Sequence, residues 1–182
     1  IYTGFLETLP EGELLSGFAE VIKHYLIADV NEFEKLHKHE TKITELNWGE
    51  IVEKNITIKS KIVEQDPFEK NIRKALNFGH TIGHAVESCF LQKDGKKLLH
   101  GEAVAVGMIC EIYLSLKKEL INEDESGRAA GYILRNYKLP EIYEEDFEQI
   151  LQFIKQDKKN ATGQAQFTLL KGIGGFSIDN NV

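Results

Sequence analysis

The sequence predicts a mainly α-helical domain closed by a small C-terminal β-hairpin, and three observations carry that prediction. Apolar residues recur at helical period along most of the 182 residues, in windows too long for strands. The alternation of strands and helices that builds a nucleotide-binding sheet is missing. Only the last stretch, FTLL, KGIGG and FSI at 167 to 178, has the pattern of two short strands about a glycine-rich turn.

Taken in order, Thr8 and Glu11 have the spacing of a capping box ahead of an apolar helical run, which predicts a helix over 13–28. Asn31 to His39 reads as a short amphipathic helix. Gly49 to Gln65 reads as a longer one, with Ile51, Val52, Ile56, Ile62 and Val63 on its inner side. Asp66, Pro67 and Glu69 then give a stop and a restart, since proline suits the first turn of a helix. The restarted helix is expected to run to about Phe90, where QKDGKK makes a polar turn. Another begins near His100 and continues through Val104, Met108, Ile112 and Leu116. Two more are expected around 123–137 and 144–155, separated by the Leu139-Pro140 break. No repeat or low-complexity tract interrupts them.

A chain with 42% apolar residues and this length can bury one substantial core, so a single domain over 1–182 is the expectation. The net charge of −7 and the lack of a Lys/Arg block argue against nucleic acid or an anionic membrane as the main partner. Cys89 and Cys110 follow no metal-binding spacing and read as core thiols of a reduced, cytoplasmic protein. No apolar run has the length of a membrane span, and no signal-peptide pattern is present. The first residue, Ile1, falls inside an apolar turn with no initiator Met, which reads as a piece of something longer.

The chemistry concentrates in LNFGHTIGHAVE at 76–87 and LLHGEAVAVGM at 98–108. At about 100° per residue, Arg73, Asn77, His80 and His84 fall on one stripe of a single helix. An isolated His-x3-His pair is more often a solvated face. Arg73, Asn77 and the nearby His100 favour a wet, charged pocket instead. Glu20 interrupts the apolar stretch of SGFAEVIKHYLI, with Lys23 and His24 on nearly the same face, and such a carboxylate costs several kcal/mol unless a cation or metal compensates it. A plain Glu20–Lys23 surface pair is the competing account. Glu20, His80 and His100 can supply the three N and O ligands, with an open fourth position, that a catalytic zinc needs. HTIGH lacks the glutamate of the zinc-protease motif, which argues against a protease. KGIGG does not open a helix after a strand and is not a dinucleotide fingerprint. Lys59, Lys61, Arg73, Lys158 and Lys159 are candidates to hold an anionic ligand.

Together, SGFAEVIKHYLIAD, Asp66 with RKALNFGHTIGHAVE, LLHGEAVAVGM and the late DKKN at 157–160 resemble the 3-dehydroquinate synthases among the sugar-phosphate cyclases. The resemblance runs along essentially the whole chain in family order. It implies a helical C-terminal domain that binds metal and substrate, whose N-terminal, Rossmann-like NAD-binding partner is absent from this sequence. It also implies zinc or cobalt, and NAD in the full-length enzyme, bound in the cleft between the two domains, and a homodimer at full length. Glu20, His80 and His100 match metal ligands, Lys59 and Arg73 a clamp on the substrate carboxylate, and Asn77 with one of Lys158 or Lys159 the phosphate end. Lys23 and His84 match residues that hydrogen-bond the reacting hydroxyls.

The reaction implied is that of a phosphate-eliminating lyase of the shikimate pathway. It converts 3-deoxy-D-arabino-heptulosonate 7-phosphate to 3-dehydroquinate and phosphate, and the isolated domain would be inactive. Inosose- or valiolone-type cyclization and a non-catalytic domain with a relic pocket are the alternatives. The sequence departs from the family pattern in a longer His84–His100 connection and in Pro67 and Asn71.

Overall fold

The computed structural model describes residues 2–38, 42–93, 98–157 and 165–182, which form seven α-helices, three short 3-10 turns and one antiparallel strand pair. The mainly helical class with a terminal hairpin is therefore the observed one. No helix among the described residues is long and apolar enough to cross a membrane.

α1 (Glu11–Ala28) buries Phe18, Ile22, Tyr25 and Leu26, as its periodicity predicts. The expected Thr8–Glu11 capping box does not form. Pro10 occupies the N-cap position, which leaves Thr8 too far upstream, and its hydroxyl donates to the Phe5 carbonyl at 3.3 Å. α2 (Val30–Lys38) and α3 (Trp48–Gln65) follow, with the Asn47 side chain capping α3 through the Glu50 N–H. On α3, Ile51 and Ile62 face the core, but Ile56 is 40% exposed. Asn55 takes the inward position because its Oδ1 pairs with His24 Nδ1 at 2.9 Å.

The largest departure from expectation follows α3. No helix restarts at Pro67. Instead the Asp66 carboxylate accepts from the N–H groups of Lys70, Asn71 and Arg73, which folds 66–71 into a loop. Ile72–Asn77 is a 3-10 turn, Gly79 takes a left-handed φ of 78°, and α4 (His80–Leu91) begins only there. The physical cause is that Phe78 buries its ring completely while the next residue must turn back. Glycine alone does this without a steric penalty. Arg73 and Asn77 therefore do not share a helix with His80 and His84.

α5 (His100–Lys117) is the central element, packed against α1, α4, α6 (Glu123–Asn136) and the first strand. Its contact with α4 is made backbone to backbone. A Cβ added at Gly107 would lie 1.9 Å from the Gly79 carbonyl oxygen. The Leu99 N–H bonds to Glu102 at the start of α5, and Asn122 with Glu125 forms a reciprocal capping box on α6. α7 (Glu144–Asp157) covers a second apolar cluster around Phe90, Val106 and Ile150. Cys89 lies in that cluster as expected, whereas Cys110 is only partly buried.

β1 (Gln166–Leu170) and β2 (Phe176–Asn181) pair antiparallel with a register shift between Phe167 and Leu169. The hairpin is tied to α5 by the Leu170 N–H donating to Ser115 Oγ. It also buttresses the 3-10 turn, through the Thr168 hydroxyl on the Lys74 carbonyl and a 2.7 Å Lys74–Asp179 ion pair.

Candidate metal centre and anion pocket

Three helices bring their polar side chains to one place. α1 contributes Glu20 and Lys23, the first turns of α4 contribute His80 and His84, and the start of α5 contributes His100. The imidazole centroids of His80, His84 and His100 lie 5.1, 5.5 and 5.8 Å apart pairwise. Each offers a ligand atom within 4.8 Å of the others. His84 thus sits inside the cluster, alongside the Glu20, His80 and His100 set expected from sequence.

The orientation of His80 is fixed from behind. Its Nδ1 lies 3.1 Å from the Phe78 carbonyl oxygen, which can only accept, so Nδ1 carries a proton. Nε2 then faces Glu20 Oε1 at 3.3 Å, and that carboxylate oxygen is buried without a hydrogen-bond partner. With a neutral imidazole these are two lone pairs pointed at each other, an arrangement that only a shared cation relieves, whether a proton or a metal. His100 is held similarly, its Nδ1 being 3.3 Å from Glu87 Oε2. Such partners on the far nitrogen are what orient metal-binding imidazoles. The donor set fits zinc or a similar borderline divalent ion.

Lys23 Nζ lies 2.7 Å from the other Glu20 oxygen, Oε2, and its side chain is only 3% exposed. The pair that a surface account anticipates does form, but in a buried setting. Burial pushes the Glu20 carboxyl up. The adjacent His80 imidazole and the Lys23 ammonium outweigh it, and hold the group well below the usual carboxylate range. Burial lowers the Lys23 ammonium, Glu20 opposes this, and the positive charge of Lys59 lowers it further. His24, buried behind them, is pushed down to about 4 by burial first and then by Lys23. The centre can therefore supply imidazole lone pairs, an ionised carboxylate and a buried ammonium within one cluster.

The anion-binding candidates are placed differently. Lys59 and Lys61 are exposed on α3. Arg73 donates through Nη1 to the Pro67 carbonyl at 2.8 Å and has Nε 3.9 Å from Glu69 Oε2. Asn77 donates to Glu69 Oε1 at 2.7 Å. Arg73 and Asn77 are thus gathered around one carboxylate on the loop and 3-10 turn. Lys158 and Lys159 lie outside the described residues. An open groove beside His84, lined by Thr81, Ser88, Phe153 and Gln156, lies close to the end of α7, the helix those lysines follow in sequence.

Sequence reasoning missed Glu69, Glu87 and Glu111. Glu87 was accessible, being three residues after His84 and so on its helix face. Glu69 and Glu111 gave no periodic signal.

Residues 17–160 match the family model described as 3-dehydroquinate synthase C-terminal. A 3-dehydroquinate synthase of Parabacteroides distasonis is 38% identical over 98% of this chain and 50% of its own length. One from Thermoanaerobacter pseudethanolicus is 40% identical over 96% and 49%. The chain thus spans about half the length of the curated relatives it matches. Among solved structures, it superposes on a 2-epi-5-epi-valiolone synthase from Streptomyces hygroscopicus subsp. jinggangensis, with NAD+ and Zn2+ bound, at a TM-score of 0.77 and 26% identity, over 98% of this chain and 50% of that one. A 2-deoxy-scyllo-inosose synthase complexed with carbaglucose-6-phosphate, NAD+ and Co2+ shares the fold at a TM-score of 0.72 and 22% identity, over 96% and 49%. By its matched residues and its relatives, this chain belongs to the 3-dehydroquinate synthase C-terminal domain family.

Proposed function

We propose that this chain is the metal- and substrate-binding half of a 3-dehydroquinate synthase. Acting with an NAD-binding half, it would convert 3-deoxy-D-arabino-heptulosonate 7-phosphate to 3-dehydroquinate and phosphate. Alone, the chain would be inactive. The observation that carries the reading is the convergence of Glu20 Oε1 and His80 Nε2 at 3.3 Å, with His84 and His100 around them. Glu20, His80 and His100 hold the metal, which when bound supplies a Lewis acid for a substrate hydroxyl.

The chain's own side chains bind and orient. Arg73 and Lys59 take the substrate carboxylate, the guanidinium as a planar fork and the ammonium as a point charge. Asn77 and one of Lys158 or Lys159 hold the phosphate end. Lys23, whose ammonium is already committed to Glu20, and His84 hydrogen-bond the hydroxyls that react. Contacts at several points hold the substrate in a reactive pose. The identity of 36–40% to enzymes of that name supports this substrate over those of the valiolone and inosose cyclases, as does a guanidinium at position 73.

The test is to supply the NAD-binding half of a relative and follow phosphate release. Release from the heptulosonate that needs both halves, and that Arg73→Ala reduces by at least a hundredfold, is expected. Release only from a sugar phosphate lacking the carboxylate would reassign the chain to another cyclase. No release and no metal binding would favour a non-catalytic domain.

A further inference from the structure

Glu111 is a completely buried carboxylate that none of the roles above uses. It lies eleven residues, or three turns, beyond His100 on α5, and so on nearly the same face of that helix. Its Oε2 accepts a hydrogen bond from the Gly79 N–H at 2.6 Å. Gly79 is the left-handed N-cap residue of α4, and the next residue is His80. The carbonyl that orients the His80 ring belongs to Phe78, on the other side of the same glycine.

From these contacts we infer that Glu111 is a positioning residue for the metal centre. By holding the Gly79 amide it fixes where α4 starts, and with it the direction of His80 relative to His100. The inference rests on the metal-centre reading above. A buried carboxylate is a costly way to fill space, since an apolar side chain of similar volume packs there more cheaply. What it adds is an acceptor for an N–H that the first turn of a helix leaves without an intrahelical partner. Gly107 packs on the Gly79 carbonyl from the same helix, so α5 grips the turn at both its amide and its carbonyl. One rigid helix thereby carries His100 and sets the place of His80.

Two variants of the 182-residue chain separate this role from packing. Glu111→Gln keeps an acceptor oxygen, whereas Glu111→Met keeps the volume and removes it. Zinc affinity by calorimetry is expected to stay within about threefold of the parent in Glu111→Gln and to fall at least tenfold in Glu111→Met. By NMR, the Gly79 amide should be protected from exchange in the parent and in Glu111→Gln, and exposed in Glu111→Met. Parent-like zinc affinity in a folded Glu111→Met, or equal loss in both variants, overturns the proposal. If the parent binds no zinc, the metal-centre reading fails instead. Glu111 is then judged by the proton contacts between the His80 and His100 rings, whose loss in Glu111→Met supports the role and whose persistence refutes it.

Discussion

Replacing Gly107 by alanine tests the α4–α5 contact that places the histidines. The new Cβ would stand 1.9 Å from the Gly79 carbonyl oxygen and 2.8 Å from both Gly79 C and Gly83 N. Those are backbone atoms, so no rotamer change relieves the clash, and α4 must retreat by roughly 1 Å or more to restore ordinary contact distances. Overpacking of this kind costs about 3 kcal/mol at the upper end of its usual range. The gain in helix propensity returns about 1 kcal/mol. The net expectation is a loss of about 2 kcal/mol, or roughly 4–8 °C in Tm for a chain of this size. Gly127→Ala is the matched control. It lies exposed on α6 with nothing within 4 Å of the added Cβ, so only the propensity term acts and stability should rise by about 0.5–1 kcal/mol. Urea titration of the two variants against the parent measures the difference. If Gly107→Ala is as stable as Gly127→Ala within about 0.5 kcal/mol, the two helices do not touch as described and the reasoning fails.

His24 predicts an acid sensitivity. Its folded pKa of about 4 lies below the ordinary 6.5, so the unfolded chain takes up the proton first. Stability is full above pH 6.5 and is lost as pH falls toward 4, by about 3 kcal/mol in all and about 2 kcal/mol by pH 5. His24→Gln should flatten the pH 7 to 5 segment of a denaturation series by that amount, and an unchanged slope would contradict it. Glu20→Gln strands the buried Lys23 ammonium and should cost about 3 kcal/mol, the low end for a broken buried pair because Glu20 is partly open to solvent. It should also weaken zinc binding at least tenfold, and parent-like affinity would remove Glu20 from the ligand set. Asp66→Ala should release the Lys70, Asn71 and Arg73 amides to fast hydrogen exchange while amides in α5 remain protected. Unchanged protection of those three would mean that the Asp66 carboxylate does not organise the loop.

Much of this architecture was legible in the sequence because α2 and α6 bury one face against the core, which leaves a 3.6-residue period, while α1 and α5 are apolar over windows too long for strands. The hairpin was legible because its turn glycines stand between two β-rich runs. Glu20, Lys23, His80, His84 and His100 were legible as polar residues set into apolar segments, and the structure brings all five together.

The break between Asn77 and His80 was not legible. Arg73, Asn77, His80 and His84 keep helical spacing straight through it, and what stops the helix is remote. Glu111 captures the Gly79 amide from thirty-two residues away, and Gly107 packs on its carbonyl. The glycine directly before His80 was the only local hint, since glycine is tolerated at an N-cap. Ile56 failed for a similar reason. Periodicity ranks it as an inward residue, but the hydrogen bond from His24 Nδ1 to Asn55 Oδ1 decides which face of α3 turns in.

The central claim is a metal centre built from Glu20, His80 and His100. Its most direct test is a titration of the metal-free chain with cobalt(II), followed by the visible d–d absorption, beside His80→Ala and His100→Ala. One equivalent of cobalt per chain is expected, with an intense low-coordinate spectrum that zinc abolishes by displacement. Both variants should lose it. A flat titration, or a spectrum that survives both substitutions, would contradict the account and place any metal elsewhere.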